Sequence, residues 1–149
     1  MEATDSNGRL SAVRKEFFAF RNGLLADTLR KGGLEQKYIF GLQLPQIKDI
    51  AERFRPSEPS DAAAMARDLW SDRECRESRL LACHIMPSEQ LSKEEASEWI
   101  KDIRNREEAD IIAFRLLRYL PDAADLAESM KSDENDLMRY AATAIHRFL

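Results

Sequence analysis

A chain of 149 residues, 44% hydrophobic and 34% charged, has the length and composition of one soluble domain with a core, burying roughly 70% of its unfolded surface. Its formal charge of −4, with both signs interleaved, excludes a uniform polycation and leaves room for a local basic face. No stretch reaches the roughly 20 apolar residues of a membrane span, and "MEATDSNGRLSAVRKEFFAF" never sustains the apolar run of a signal peptide.

Helical periodicity runs almost throughout, and no stretch alternates as a strand does. Residues 1–8, "MEATDSNG", read as a flexible tail, and 9–149 as a single helical domain. A first helix is expected over 9–31, stopped by Gly32-Gly33. Gly41 then breaks the chain, and Pro45 sits in a helix first turn, where its missing N–H costs little. Pro56 and Pro59 punctuate the next connection, and Ser60 or Asp61 is the expected cap of the helix beginning "SDAAAMARDLW".

Four further helices follow. Over 107–120, Ala109, Ile112, Ala113, Leu116, Leu117 and Leu120 recur at helical spacing, and Leu137, Tyr140, Ala141, Ala144, Ile145 and Phe148 repeat the pattern near the C-terminus. Such a stripe is a core face. "WSDRECRESRLLACHIMP" (70–87) overlies "RNREEADIIAFRLLRYLP" (104–121) at an offset of 34, and "SDENDLMRYAATAIHRFL" (132–149) is a looser third copy. Recurring helix pairs predict an all-α, right-handed superhelix of about four HEAT-like pairs, roughly eight helices in all. A compact helical bundle is the other architecture compatible with the pattern.

Cys75 and Cys83, eight apart on one expected helix, lie roughly 12 Å apart at 1.5 Å rise per residue. A disulfide needs Cα atoms within about 7 Å, so both read as free thiols and the expected location is cytoplasmic. No phosphate loop, nucleophile elbow or zinc-type cysteine pair occurs, so neither a metal nor another cofactor is expected. His84 and His146 read as ordinary helix-surface or helix-edge residues. Trp70 and Trp99 fall in the apolar frame of their helices and read as inter-helix packing rather than a ligand wall. Arg104, Arg106, Arg115 and Arg118, joined by Arg139 and Arg147, form the candidate nucleic-acid-binding set, because equivalent positions of stacked repeats line one face that could track phosphates. Asp110 stands at the junction of the charged and apolar halves of its segment, where it reads as an acidic residue in a helix first turn.

Several of these segments resemble the AlkD-like DNA alkylation-repair family of HEAT-like repeat proteins. "IFGLQLPQIKDIAERF" is similar to the family's G-[hydrophobic]-x-x-P segment, and "MARDLWSDRECRESRLLACHIM", with Glu77 before its apolar run, to a helix pair. Asp110 on the next inner helix and "RYAA" at Arg139 complete a likeness over roughly residues 35–149. The resemblance implies excision of N3- or N7-alkylated purines, with a carboxylate at the Asp110 position near the sugar, aromatic neighbours, and basic residues on the backbone. A carboxylate there stabilises the oxocarbenium-like cation that builds as the glycosidic bond breaks. Aromatic faces attract the cationic base. The sequence departs from the family where a tryptophan stands four residues before the aspartate: here that residue is Arg106. It also resembles a form shortened at the C-terminus, ending on "HRFL". The expectation is therefore a shortened family member that binds duplex DNA and has weak or absent glycosylase activity. The alternatives are an active N3/N7-alkylpurine glycosylase using Asp110, and a HEAT-repeat scaffold binding a protein partner, or a second copy of itself, through the C-terminal helix.

Overall fold

The computed structural model describes the backbone of residues 2–149 and the side chains of residues 8–149. Met1 and the side chains up to Asn7 lie outside the described residues; the backbone from Glu2 to Gly8, expected as a tail, belongs to the first helix, which therefore starts earlier than residue 9. The described residues are all-helical: nine α-helices, two short 3-10 turns, and one isolated bridge between Tyr38 and Cys75 in place of any strand. None of the helices is long and apolar enough to cross a membrane. The chain divides into two compact units, Met1–Ile85 and Met86–Leu149.

The first unit holds α1 (Glu2–Ala19), α2 (Gly23–Lys31), α3 (Leu44–Phe54), α4 (Pro59–Ser71) and α5 (Arg76–Ile85). α5 is its centre: all ten residues are buried, and α3 and α4 pack against it. Ile47 and Ile50 of α3 and Met65 and Leu69 of α4 are buried, and α1, with Val13 and Phe17 buried, packs on α3 and α4. Trp70 is buried as packing, with the Arg79 guanidinium 3.5 Å from its ring centroid. His84 departs from the surface reading. It is buried, and its Nδ1 donates to the Leu80 carbonyl at 2.9 Å, because every face of α5 is covered. His146 is exposed, as expected. Cys75 and Cys83 are buried free thiols.

The polar centre of this unit is Glu77. Its fully buried carboxylate accepts from the backbone N–H groups of Phe40, Gly41 and Leu42 at 2.9, 3.0 and 3.3 Å, and from Arg76 Nη1 at 2.6 Å. Three backbone donors converging on a charged acceptor fix the loop that leads into Pro45 and α3. Gly41 makes that loop possible: its φ is +84°, and a Cβ there would stand 2.2 Å from the Asn22 carbonyl oxygen.

The single helix expected over 9–31 is two helices. The backbone N–H of Asn22 donates to the Phe40 carbonyl at 2.8 Å, and its side chain accepts from Leu25 N at 3.1 Å as an N-cap, so α2 starts afresh at Gly23. Its stop at Gly32-Gly33 is as expected, with Gly33 at φ +112°. Pro45 lies in the first turn of α3, also as expected. α4 begins earlier than Ser60 or Asp61 would cap it: Glu58 takes the N-cap position and Pro59 the first turn, where the fixed φ of proline suits helix initiation.

The second unit holds α6 (Lys93–Lys101), α7 (Arg106–Arg115), α8 (Ala123–Met130) and α9 (Asp136–His146). α7 and α8 both pack on α9, whose buried face is Met138, Ala141, Ala142, Ala144 and Ile145. Ala109 and Ala113 on α7 are equally small and buried, so the helices approach closely. Trp99 is buried on α6. The helix expected over 107–120 ends at Arg115, and a 3-10 turn, Leu117–Tyr119, follows. Leu116, Leu117 and Leu120 are all buried there, as the apolar stripe predicts, although the regular helix has ended. α5, α7 and α9 begin 30 residues apart, at Arg76, Arg106 and Asp136, a shorter and more even spacing than the offset of 34 read from the sequence.

Candidate nucleic-acid interface

Both helices of the candidate site start from an asparagine. Asn105 caps α7 by accepting from Glu108 N at 2.8 Å, and buried Glu108 reaches back to accept from Arg104 N at 2.9 Å. Asn135 caps α9 by accepting from Leu137 N at 2.8 Å. Asp110 is consequently the fifth residue of α7, one turn beyond the helix start, and Tyr140 is the fifth residue of α9. This corrects the first-turn reading of Asp110. Glu107 and Glu108 occupy the first turn and face the positive end of the helix dipole.

What Asp110 meets is Tyr140. The phenol donates to both carboxylate oxygens, at 2.9 and 3.0 Å, in a partly buried position between the helices. A carboxylate has about four lone-pair sites, so one shared phenolic proton leaves Asp110 able to accept further donors. The hydrogen bond to Asp110, then burial and the Asp110 charge, push the Tyr140 phenol above its usual range, while Arg147 and Arg106 oppose that rise. Arg106, one turn before Asp110, lays its guanidinium 4.7 Å from the Tyr140 ring centroid. The face therefore presents a carboxylate, a phenol and two guanidinium groups within one inter-helix seam.

Phe114 continues the Arg106–Asp110 row one turn further along α7. Its ring meets Phe148 edge-on at 5.2 Å between centroids. Arg118 lies 4.3 Å from the Phe114 centroid, 4.7 Å from that of Tyr119 and 5.6 Å from that of Phe148, and its Nη2 donates to the Tyr119 hydroxyl at 2.6 Å. Arg115 lies 5.2 Å from the Phe114 centroid on its own helix.

The six arginines named from the sequence divide in two. Arg106, Arg115, Arg118 and Arg147 have no carboxylate within ion-pair distance among the described residues; the first three rest on aromatic rings and Arg147 is exposed. Arg139 is taken up locally, paired with Asp136 and donating to the Asp133 carbonyl at the start of α9. Arg104 is half-buried, and its backbone is bound by Glu108. Acids are likewise segregated: neither 111–121 nor 137–149 contains an aspartate or glutamate. Among the described residues no cluster of three His, Cys, Asp or Glu could hold a metal ion.

Sequence reasoning singled out Arg139 of the "RYAA" segment and passed over its neighbour Tyr140. The available signal was positional: Asp110 and Tyr140 hold the same place in helices that begin 30 residues apart. A family model described as DNA alkylation repair enzyme matches residues 13–149. No curated protein and no solved structure matches the chain.

Proposed function

The chain belongs to the DNA alkylation repair enzyme family, and from that membership and the α7–α9 face we propose that it binds DNA with weak or absent alkylpurine glycosylase activity. The observation that carries both halves of this reading is the guanidinium of Arg106 lying over Tyr140, whose hydroxyl holds Asp110. An alkylated purine is cationic, and its excision needs a carboxylate beside the sugar and aromatic faces that attract the base. Here a resident cation already lies on the aromatic face nearest the carboxylate. Two like charges about 4 Å apart repel by roughly 1 to 4 kcal/mol between bulk water and a partly screened surface. That repulsion opposes a cationic base at this position and favours an anion instead.

Arg106, Arg115, Arg118 and Arg147 supply that preference for anions, since no carboxylate competes for them. Guanidinium groups held on ring faces keep most of their donors free for phosphate oxygens. The HEAT-like reading of the fold draws support from α4 packed on α5, α8 packed on α9, and inner helices that start at even intervals. Its period of 30 residues is shorter than the roughly 40 to 47 usual for HEAT units.

Titrating a labelled duplex at several salt concentrations tests the proposal. Each phosphate neutralised contributes a slope of about −0.9 in log K against log salt, so four arginines predict roughly −3 to −4. Arg147→Gln should reduce the slope by about one unit. Affinity indifferent to salt, or no binding at low salt, sinks the reading.

A further inference from the structure

We infer that the face formed by Phe114, Arg118, Tyr119 and Phe148 is a stacking platform for unpaired bases, so that the chain prefers single-stranded or locally melted DNA to intact duplex. The inference rests on the proposed DNA binding and adds the form of DNA that the interface selects.

The platform is built from both helices of the seam. Phe114 ends the exposed row that runs from Arg106 through Asp110, and Phe148, just beyond α9, braces it edge-on at 5.2 Å. Phe114 is 36% exposed and Tyr119 is 59% exposed, a large presentation for aromatic rings with so many arginine contacts. Arg118 joins the two rings, over Phe114 at 4.3 Å and over Tyr119 at 4.7 Å. Its Nη2 bond to the Tyr119 hydroxyl, at 2.6 Å, locks the guanidinium in place. Two partly exposed rings and a planar cation thus stand side by side on one face.

Charge identifies what such a surface accepts. Arg118 has no carboxylate partner among the described residues, and neither do Arg106 and Arg147 further along the seam. Alternating exposed aromatics and uncompensated arginines is the arrangement that binds single strands: phosphates follow the cations while bases stack on the rings. A base inside an intact duplex has both faces covered by its neighbours and offers nothing to Phe114 or Tyr119. In a two-fold contact a second copy of the chain would bring the same uncompensated arginines against these and be repelled, whereas a polyanion meets them with phosphates, so nucleic acid is the occupant that the charges favour.

The test compares binding of a fluorescein-labelled oligothymidine, a duplex of equal length, and that duplex carrying a central bubble, by anisotropy at fixed salt. We expect the single strand and the bubble to bind at least tenfold tighter than the duplex. Phe114→Leu keeps an apolar side chain and removes the π face. It should weaken single-strand binding about tenfold, the lower part of the range for loss of one base-stacking aromatic, and weaken duplex binding far less, by no more than the loosening of Arg115 and Arg118 on that ring costs. Tyr119→Leu, at a more exposed site, gives the same readout without demanding anything of the core, and Phe114→Tyr should restore affinity. Equal affinity for all three DNAs, with neither leucine variant altering it, overturns the inference while leaving DNA binding intact. Failure to bind any of them overturns the DNA-binding reading as well. A dimer in sedimentation that Phe114→Leu dissociates, without any single-strand preference, overturns the inference in favour of a self-association surface.

Discussion

The Tyr140 hydroxyl donates to both carboxylate oxygens of Asp110, at 2.9 and 3.0 Å, and so ties α9 to α7 across 30 residues of sequence. A hydrogen bond to a charged acceptor contributes about 1.5 to 3 kcal/mol, and partial exposure brings this one to roughly 1 kcal/mol. Tyr140→Phe should lower the stability of the second unit by that amount, read as a shift of the urea midpoint with Trp99 as the local probe. Asp110→Asn keeps an acceptor but loses the charge, so its cost should be smaller. Because the two residues share one interaction, the double variant should lose less than the two single losses combined. Strict additivity would mean that the contact carries no stability.

The same contact sets an alkaline limit. The Tyr140 phenol is raised first by its hydrogen bond to Asp110, then by burial and the Asp110 charge. An unfolded tyrosine titrates near 10, so a raised folded value means that the contact stabilises fully below about pH 10. That contribution disappears as pH rises through the higher folded value. Stability should therefore show no step from this pair across the neutral range and should fall above pH 10. Absorbance at 295 nm should show a late-titrating tyrosine that Tyr140→Phe removes. A Tyr140 that ionises at or below the usual tyrosine value near 10 contradicts the assignment.

How far the sequence disclosed this molecule depended on whether a residue's role was local. Pro45 and the Gly32-Gly33 stop declare themselves within a few residues and stand where the local pattern puts them. On α9 Ala141, Ala144 and Ile145 are buried as the stripe predicts, but Met138 and Ala142 complete the buried face, and Leu137, Tyr140 and Phe148 are only partly covered. The burial of Trp70 and Trp99 was equally legible from their helical frame. The break at Asn22 was not, because it is enforced by Phe40, far away in the chain. Nor was the early end of α7: Leu116, Leu117 and Leu120 fit a continuous helix by spacing and are all buried, so nothing in the pattern marks the 3-10 turn. Asp110 was visible as a charged residue beside an apolar run. Its partner was not, since Tyr140 also fits the apolar stripe of α9, and nothing local reveals that its hydroxyl reaches α7.

Glu77 should be the most sensitive single position in the first unit. Glu77→Gln removes the charge that three backbone N–H groups and Arg76 converge on, and it places an amide donor among donors. Removing one partner of a buried pair costs about 3–5 kcal/mol, because the other charge stays behind. Gly41→Ala attacks the same loop by another route, forcing an L-residue to φ +84° with its Cβ 2.2 Å from the Asn22 carbonyl oxygen. A loss of more than about 2 kcal/mol is expected there too, since both strain and a steric clash must be relieved. Trp70 fluorescence during urea unfolding reads both variants. A midpoint within error of the parent for Glu77→Gln would show that the loop is held by something else.

Catalysis gives the sharpest prediction. A carboxylate that stabilises a developing cation is typically worth roughly 10² to 10³ in rate, about 2.7–4 kcal/mol, so a working Asp110 would lose its activity plainly on Asp110→Asn. We expect the unmodified chain to release 7-methylguanine or 3-methyladenine from alkylated duplex DNA at or near the background rate, leaving nothing for that variant to remove. Arg106→Trp tests the reason. It withdraws the cation that lies 4.7 Å from the Tyr140 ring centroid and puts an aromatic face one turn before the carboxylate, as in the family pattern that the sequence resembles. Any excision that appears in Arg106→Trp must vanish again when Asp110→Asn is added, because both changes act on one site. Tyr140→Phe in the same background should raise excision if the phenol withholds the carboxylate, and lower it if the phenol only positions it. Robust release by the unmodified chain, abolished by Asp110→Asn, would overturn the proposed function and make Asp110 the catalyst of an active glycosylase.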